Sequence, residues 1–359
     1  MSNLENEMKN KIQNKLKDLL KETGFVRYSK SLSQGVMKKN VGKKADIVAN
    51  IVINNSTVKL IIELKNNGEP RHVRTAIQQL MEYKEVLNKS NRNIYGIIGA
   101  PYISEDSARL CKEKGIGYID LAGNAFLKFN KVFIEKKNYP NLLKERKIIK
   151  NIFTPKSSRI LRIMLSNPQK KWQLQELAKK SEISIGQAFK VKERLFDLEY
   201  VSGDNKYIFL KRPGELLSKW AENYNYKKNK SFDYFIIGEP KEIEQKIADY
   251  CNENKIKYAF SLFSGASLIM PYTRYNRIFV YIMDRRAEVV NELQLKPVDS
   301  GPNITILEPY DEGVFQAKQV INNFSIVGNV QLYLDLVGYK GRGEEAANIL
   351  LEEKIKKQW

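Results

Sequence analysis

Residues 45–65 read ADIVANIVINNSTVKLIIELK, two runs rich in Ile and Val around Asn54-Asn55. An asparagine pair tolerates the left-handed backbone of a tight turn, so the segment is expected to fold as a hairpin with those two residues as its loop. The loop sets the register. Ile53 faces Ser56, and counting outward puts Asp46 opposite Glu63. Side chains alternate along a strand, so Lys65 shares a face with Glu63. On the other face Ile47, Ala49, Ile51 and Ile53 meet Val58, Leu60, Ile62 and Leu64. One side is therefore apolar and built for burial. The other carries two carboxylates and an amine.

Directly opposed like charges destabilise a sheet, with Cβ atoms about 4.5–5.5 Å apart. A divalent cation is the natural group to hold both acids ionised, because Mg²⁺ takes one or two carboxylates together with substrate phosphates and water. It polarises a phosphodiester and helps generate hydroxide, while a nearby lysine steadies charge. With Asp46 followed by Glu63-Leu64-Lys65, the segment resembles the PD-(D/E)xK nuclease superfamily. Gln79-Leu80-Met81-Glu82-Tyr83 resembles the Q-x-x-x-Y signature that follows the catalytic strands in the branch related to recombination nucleases. The resemblance implies a restriction-endonuclease-like mixed sheet, with Asp46 and Glu63 as ligands of Mg²⁺ or Mn²⁺. Lys65 would stand beside the attacking water, and Gln79 and Tyr83 would support the site from a helix. Many relatives add an acid on the first helix. Here that helix runs from a capping box, Ser2 with Glu5, through Leu4, Met8, Ile12, Leu16 and Leu19 to Gly24. The favoured position falls near Gln13, with Glu7 and Glu22 as alternatives.

Composition narrows the chemistry. The 359 residues carry a formal charge of +20, which points to a polyanionic partner, double-stranded DNA first. Histidine occurs only as His72 and cysteine only as Cys111 and Cys251, which excludes a zinc finger, a Ser-His-Asp triad and a Cys-His pair. A four-cysteine iron–sulfur clip is excluded for the same reason. No run is apolar enough to span a bilayer and the charged N-terminus is no signal peptide, so a cytoplasmic location without membrane attachment is expected.

Within a first domain at 1–135, a strand is expected over Asn93–Ala100, a helix over about Ser104–Lys114, and a further strand from Gly115 to Asp120. Asp120 and Asn124 are either site residues at a strand end or a polar turn. A basic linker, 136–154, contains Lys136, Lys137, Lys144, Arg146, Lys147 and Lys150.

Thr154-Pro155 opens a second domain, 155–212. Helices are expected over Ser157–Leu165, Leu174–Lys179 and Ile185–Glu199, the last with a capping box of Ser184 and Gln187. Ile185, Ala188, Val191, Leu195 and Leu198 would form its buried stripe, and Gln187, Lys190 and Arg194 would project outward. Tyr200–Leu210, turning at Gly203-Asp204-Asn205, reads as a two-stranded wing. The segment resembles a winged helix-turn-helix, which implies a third helix in the major groove and a wing on phosphates. Ser184, Gln187, Lys190, Arg194 and Lys206 are the candidate DNA contacts.

In a C-terminal α/β domain, 231–359, Gly265-Ala266-Ser267 followed by Tyr272–Ile278 resembles the start of a nucleotidyltransferase fold. Asn276 and Ile278 stand where that fold presents metal-binding acids, so its chemistry would be lost. Gln331–Leu350 is similar to the closing segment of AbiEi-family type IV antitoxins, which are winged-helix repressors. The expectation is an α/β multidomain protein with two functions in contention: a metal-dependent DNA endonuclease, plausibly in bacterial defence, or a non-cleaving repressor with a cognate nucleotidyltransferase toxin. A homodimer is left open.

Overall fold

The hairpin forms in the expected register. In the computed structural model, Ile47 pairs with Ile62 and Ile53 with Ser56 in an antiparallel ladder. The residues described are 3–24, 26–33, 45–53, 56–88, 93–141, 152–204, 206–270, 275–339 and 341–359. Asn54-Asn55, Ser2, most of the linker lysines, Asn205 and Tyr272–Arg274 lie outside them. The chain divides into two units, Met1–Lys150 with Asp197–Glu199, and Asn151–Phe196 with Tyr200–Trp359.

The first unit contains α1 (Asn3–Lys21), β1 (Val26–Ser33), β2 (Ile47–Ile53), β3 (Ser56–Leu64), α2 (Pro70–Asn88), β4 (Asn93–Ala100), α3 (Glu105–Glu113), β5 (Gly117–Asp120), β6 (Ala125–Phe129) and β7 (Val132–Lys136). Its seven strands lie side by side in chain order. β3, β4 and β5 are parallel, and antiparallel pairs flank them. Helices cover both faces. Met8, Ile12, Leu16, Leu19 and Leu20 of α1 pack on Ile47, Ile51, Leu60 and Ile62, the apolar side of the hairpin. Val73, Ala76, Ile77 and Leu80 recur at helical spacing along α2 and pack on Ile61 and Ile98, the opposite side. The polar hairpin face is thus not open surface. It is roofed by α2 where Glu63 emerges, which leaves that residue 3% exposed.

The second unit begins with α4 (Pro155–Leu165), α5 (Leu174–Lys180), α6 (Ile185–Asp197), β8 (Val201–Gly203), β9 (Ile208–Leu210) and α7 (Pro213–Asn223). β8 and β9 form a ribbon, and Trp172 bridges to Ile208 beside it. At the ribbon turn Gly203 has φ +153°, and a Cβ there would fall 2.1 Å from the Tyr207 carbonyl oxygen. Only glycine fits. Asp204 completes the turn by accepting from the Lys206 and Tyr207 amides.

Beyond these follow β10 (Lys230–Phe235), α8 (Pro240–Glu253), β11 (Tyr258–Phe260), α9 (Leu262–Ile269), β12 (Ile278–Ile282), α10 (Arg286–Glu292), β13 (Lys296–Pro297), β14 (Ile304–Glu308), β15 (Gln319–Ile321), β16 (Phe324–Ile326), α11 (Asn329–Val337) and α12 (Arg342–Leu350). The strands make a second mixed sheet in the order β13-β10-β14-β12-β11-β16-β15. A buried polar chain ties α4 to this part. The Arg162 guanidinium donates to Gln331, and Gln331 donates to Asp335. Ser261, Tyr224 and Tyr281 donate to Asp335 as well. Arg159 adds a forked pair with Asp311.

Candidate functional site

Glu63 sits near the carboxyl end of β3, a central strand, and Lys65 follows just past its end, its amide still donating to Gly99 of β4 at 2.9 Å. Asp46 precedes β2 and does not join the ladder as a facing pair. Its carboxylate turns back and accepts from the Leu64 amide at 2.7 Å. A side chain thereby closes the hairpin end where backbone pairing stops, and Asp46 is held beside Glu63. From α2, Gln79 and Tyr83 reach down one turn apart on the same helix face. The Lys65 ammonium donates to Gln79 Oε1 at 2.6 Å and lies 3.7 Å from Glu63 Oε2. All five residues expected from the sequence converge.

The electrostatics follow from this packing. Burial is the largest influence on Glu63, and the Asp46 charge adds to it; Lys65 and the Tyr83 hydroxyl oppose both, and the carboxyl rises to about 7. Burial and then the two carboxylates push the Tyr83 phenol to about 12, so it remains a neutral O–H at physiological pH. Glu63 Oε1 and Tyr83 Oη are both buried without a hydrogen bond of sound geometry among the described residues. A buried carboxylate oxygen with no donor costs free energy unless something supplies positive charge or a proton. That orphaned oxygen, beside a second carboxylate, fits a hard divalent cation.

Other expected residues fare differently. Glu7 pairs with Lys11 at 2.6 Å on α1, which packs against the sheet face opposite Glu63, and Glu22, in the turn just after α1, pairs with Lys136 at 2.9 Å. No third acid joins: among the described residues there is no cluster of three or more His, Cys, Asp or Glu side chains suited to a metal. Asp120 ends β5 and its carboxylate braces the turn that follows. Its two oxygens accept from the Ile103, Gly123 and Asn124 amides and from the Asn124 side chain, and Asn124 continues to the Tyr139 backbone. With every lone pair engaged it has nothing to offer a ligand.

On α6 two expectations are corrected. Ser184 does accept from the Gln187 amide at 3.2 Å, but the Gln187 side chain turns inward to Ser157 instead of completing the capping box or facing outward. Ile185 is 51% exposed rather than part of the buried stripe, which consists of Ala188, Val191 and Leu195, with Leu198 half-buried. Phe189, not singled out from sequence, stands beside it at 50% exposure. Its lack of fit to the stripe spacing was the available signal. Lys190 and Lys206 are exposed and Arg194 is half-buried. In the C-terminal part Ile278 is buried at the start of β12, whose five residues include no acid, and Asn276 is exposed just before it. The Asp335 network was also missed, although Gln331 and Asp335 one turn apart in an otherwise apolar helix marked it.

Residues 210–356 match the family model described as "Transcriptional regulator, AbiEi antitoxin, Type IV TA system". No curated protein matches the chain. Among solved structures, similarity is found to a repair endonuclease from Pyrococcus abyssi at 17% identity and a TM-score of 0.21, over 30% of this chain and 46% of that one. A complex of EndoMS with double-stranded DNA gives 18% and 0.21, over 31% and 44%. An fdxN element excision controlling factor from Anabaena variabilis gives 12% and 0.24, over 31% and 89%. The chain thus spans less than half the length of the first two. At these scores the chemistry rests on the side chains themselves. No described helix is long and apolar enough to cross a membrane.

Proposed function

We propose that this protein is a DNA-binding, divalent-metal-dependent endonuclease of PD-(D/E)xK type, its N-terminal domain (1–135) hydrolysing phosphodiester bonds and a winged helix (155–212) positioning it. The observation that carries this reading is the meeting of Asp46, Glu63, Lys65, Gln79 and Tyr83 around a buried carboxylate oxygen with no donor. Asp46 and Glu63 would hold Mg²⁺ or Mn²⁺, which when bound supplies Lewis acidity toward the phosphodiester and lowers the pKa of water. The chain's own residues divide the remaining work. Leu64 fixes Asp46 through its amide. Gln79 orients the Lys65 ammonium, which would stand beside the attacking water and steady the charge that develops there. Tyr83 stays protonated, and its hydroxyl opposes the burial that lifts Glu63, which helps keep that carboxyl ionised.

The test is incubation of the purified chain with supercoiled and linear duplex DNA, with Mg²⁺ or Mn²⁺ and with chelator. Wild type should nick in a metal-dependent way. Asp46→Asn and Lys65→Ala should bind DNA and not cut it. Cleavage that survives in both variants sinks the reading.

A second reading is favoured by one observation, the match of residues 210–356 to an antitoxin family of transcriptional regulators. In it the chain is a DNA-binding repressor paired with a nucleotidyltransferase toxin. The C-terminal domain (231–359) would then be a nucleotidyltransferase-like scaffold without its acids, and the Asp46 site a DNA clamp. Tight operator binding without any cleavage would select it. The basic charge supports DNA as partner under both readings, and a DNA-binding role of either kind would be exercised in the cytoplasm.

A further inference from the structure

The front of α6 is apolar where a base-reading helix ordinarily offers hydrogen-bonding side chains. Ile185 opens the helix and Phe189 follows one turn later, so the two are neighbours on one surface, 51% and 50% exposed. Between them in sequence, a Cβ built on Gly186 would meet nothing within 4 Å, which leaves bare backbone open to close approach. Lys192 lies over the Phe189 and Phe196 rings at 5.3 and 5.7 Å and limits the freedom of Phe189. The polar alternatives are already used: Ser184 accepts from the Gln187 amide, and the Gln187 side chain faces Ser157. The core stripe of Ala188, Val191 and Leu195 is complete without Ile185 and Phe189. Nothing in the folding of α6 requires an exposed isoleucine and phenylalanine there.

The surroundings say what chemistry covers this strip. Residues 155–212 carry thirteen Lys and Arg against six Asp and Glu, a surplus that repels a basic second copy and attracts a polyanion. When a helix of this kind enters the major groove, its N-terminal residues reach the base edges. There the one apolar group that DNA presents is the thymine 5-methyl. We infer that α6 reads thymine methyl groups in the major groove through Ile185 and Phe189, with Lys190 beside them on phosphate. This rests on the DNA-binding reading above and deepens it by naming what the helix recognises.

The experiment uses the full chain and a duplex selected from a random 30-base-pair pool. Affinity is measured for that duplex and for the identical duplex with deoxyuridine in place of thymidine. Each contacted methyl should contribute about fourfold, the scale of one buried carbon, so full replacement should weaken wild type by about tenfold or more. The Ile185→Ala, Phe189→Ala double variant should bind both duplexes alike, near the wild-type affinity for the uracil duplex. Equal binding of the two duplexes by wild type overturns the inference and needs no variant. So does selection of no preferred sequence, or a double variant that keeps the full difference. If the double variant instead loses a dimer in size-exclusion chromatography while its thymine dependence persists, the strip belongs to a second copy. Failure of wild type to bind any duplex would remove the DNA reading itself, an outcome distinct from binding without methyl dependence.

Discussion

One buried carboxylate in each unit, Glu63 in the first and Asp335 in the second, makes an instructive pair, because the two differ in what surrounds them. Asp335 is fully buried and accepts from Ser261, Tyr224, Tyr281 and Gln331. Burial lifts it to about 6 in spite of those donors. Glu63 is nearly as buried and rises to about 7, yet one of its oxygens has no donor and a second acid stands beside it. The first arrangement is complete and holds helices together. The second leaves one oxygen without a donor, as the proposed metal site would require. Burial and a raised pKa are common to both, so they do not distinguish structure from function. The state of satisfaction of the lone pairs separates these two.

The largest effect that would test this contrast is on chemistry. Lys65→Ala should reduce metal-dependent cleavage by at least about 10²–10³-fold, the scale of losing one preorganised electrostatic contact, with DNA affinity unchanged. No alteration of Asp335 should do this to a protein that remains folded. Asp335→Ala should instead act on stability. It strands several buried donors, each costing about 1–3 kcal/mol, for a total of about 3–5 kcal/mol. In calorimetry the transition of the second unit should fall by about 6–20 °C, towards the low end if its donors regroup in part. An unmoved transition would mean the network is not what holds α4 against the C-terminal sheet.

Glu63 should show the opposite sign. Its carboxyl is raised above the ordinary 4.5 to about 7 in the folded state. The protonated form therefore favours folding: this contribution is fully present below about pH 4.5 and is lost as pH rises to about 7 and beyond. Without divalent cation, Glu63→Gln should be more stable than wild type at pH 8, by up to about 3 kcal/mol, and nearly equal to it at pH 4. Adding Mg²⁺ or Mn²⁺ at pH 8 should raise the melting temperature of wild type and leave Glu63→Gln unmoved. A variant less stable than wild type at pH 8 would place Glu63 with Asp335 as a structural acid.

The same contrast explains what could be read from sequence. The hairpin register was legible because a two-residue loop and strict alternation leave one pairing, and Ile47 opposite Ile62 follows from it. The lone departure, Asp46 leaving the ladder for the Leu64 amide, depends on where backbone pairing ends, which alternation does not encode. The five-residue site was legible because each member belongs to a short local pattern, brought together by one strand-to-helix step. Roofing of the polar face by α2 was not, since it arises from packing between distant segments. Gln187 turned inward and Ile185 outward for the same reason: the rotation of α6 about its axis depends on what it packs against, with Ser157 of α4 meeting Gln187, and not on its own periodicity alone. The Asp335 network joins residues from 162 to 335, and no local pattern announces such a span.

The smallest expected effect concerns two basic residues of the three-helix segment that look alike in sequence. Lys190 is exposed on α6, whereas the Arg159 guanidinium on α4 is already engaged with Asp311 at 2.8 Å. A cation that neutralises a DNA phosphate releases about one condensed counterion, while a cation satisfied inside the protein releases none. Lys190→Ala should therefore weaken binding uniformly across duplex sequences and lower the salt-dependence slope by about 1. Arg159→Ala removes a cation already engaged with Asp311, so its slope should match wild type even if stability falls. Affinity titrations across a series of salt concentrations read both slopes directly. Were the Arg159 variant to lose slope and the Lys190 variant to keep it, the DNA-facing surface would lie on α4 rather than α6, and the thymine-reading role of Ile185 and Phe189 would fall with it.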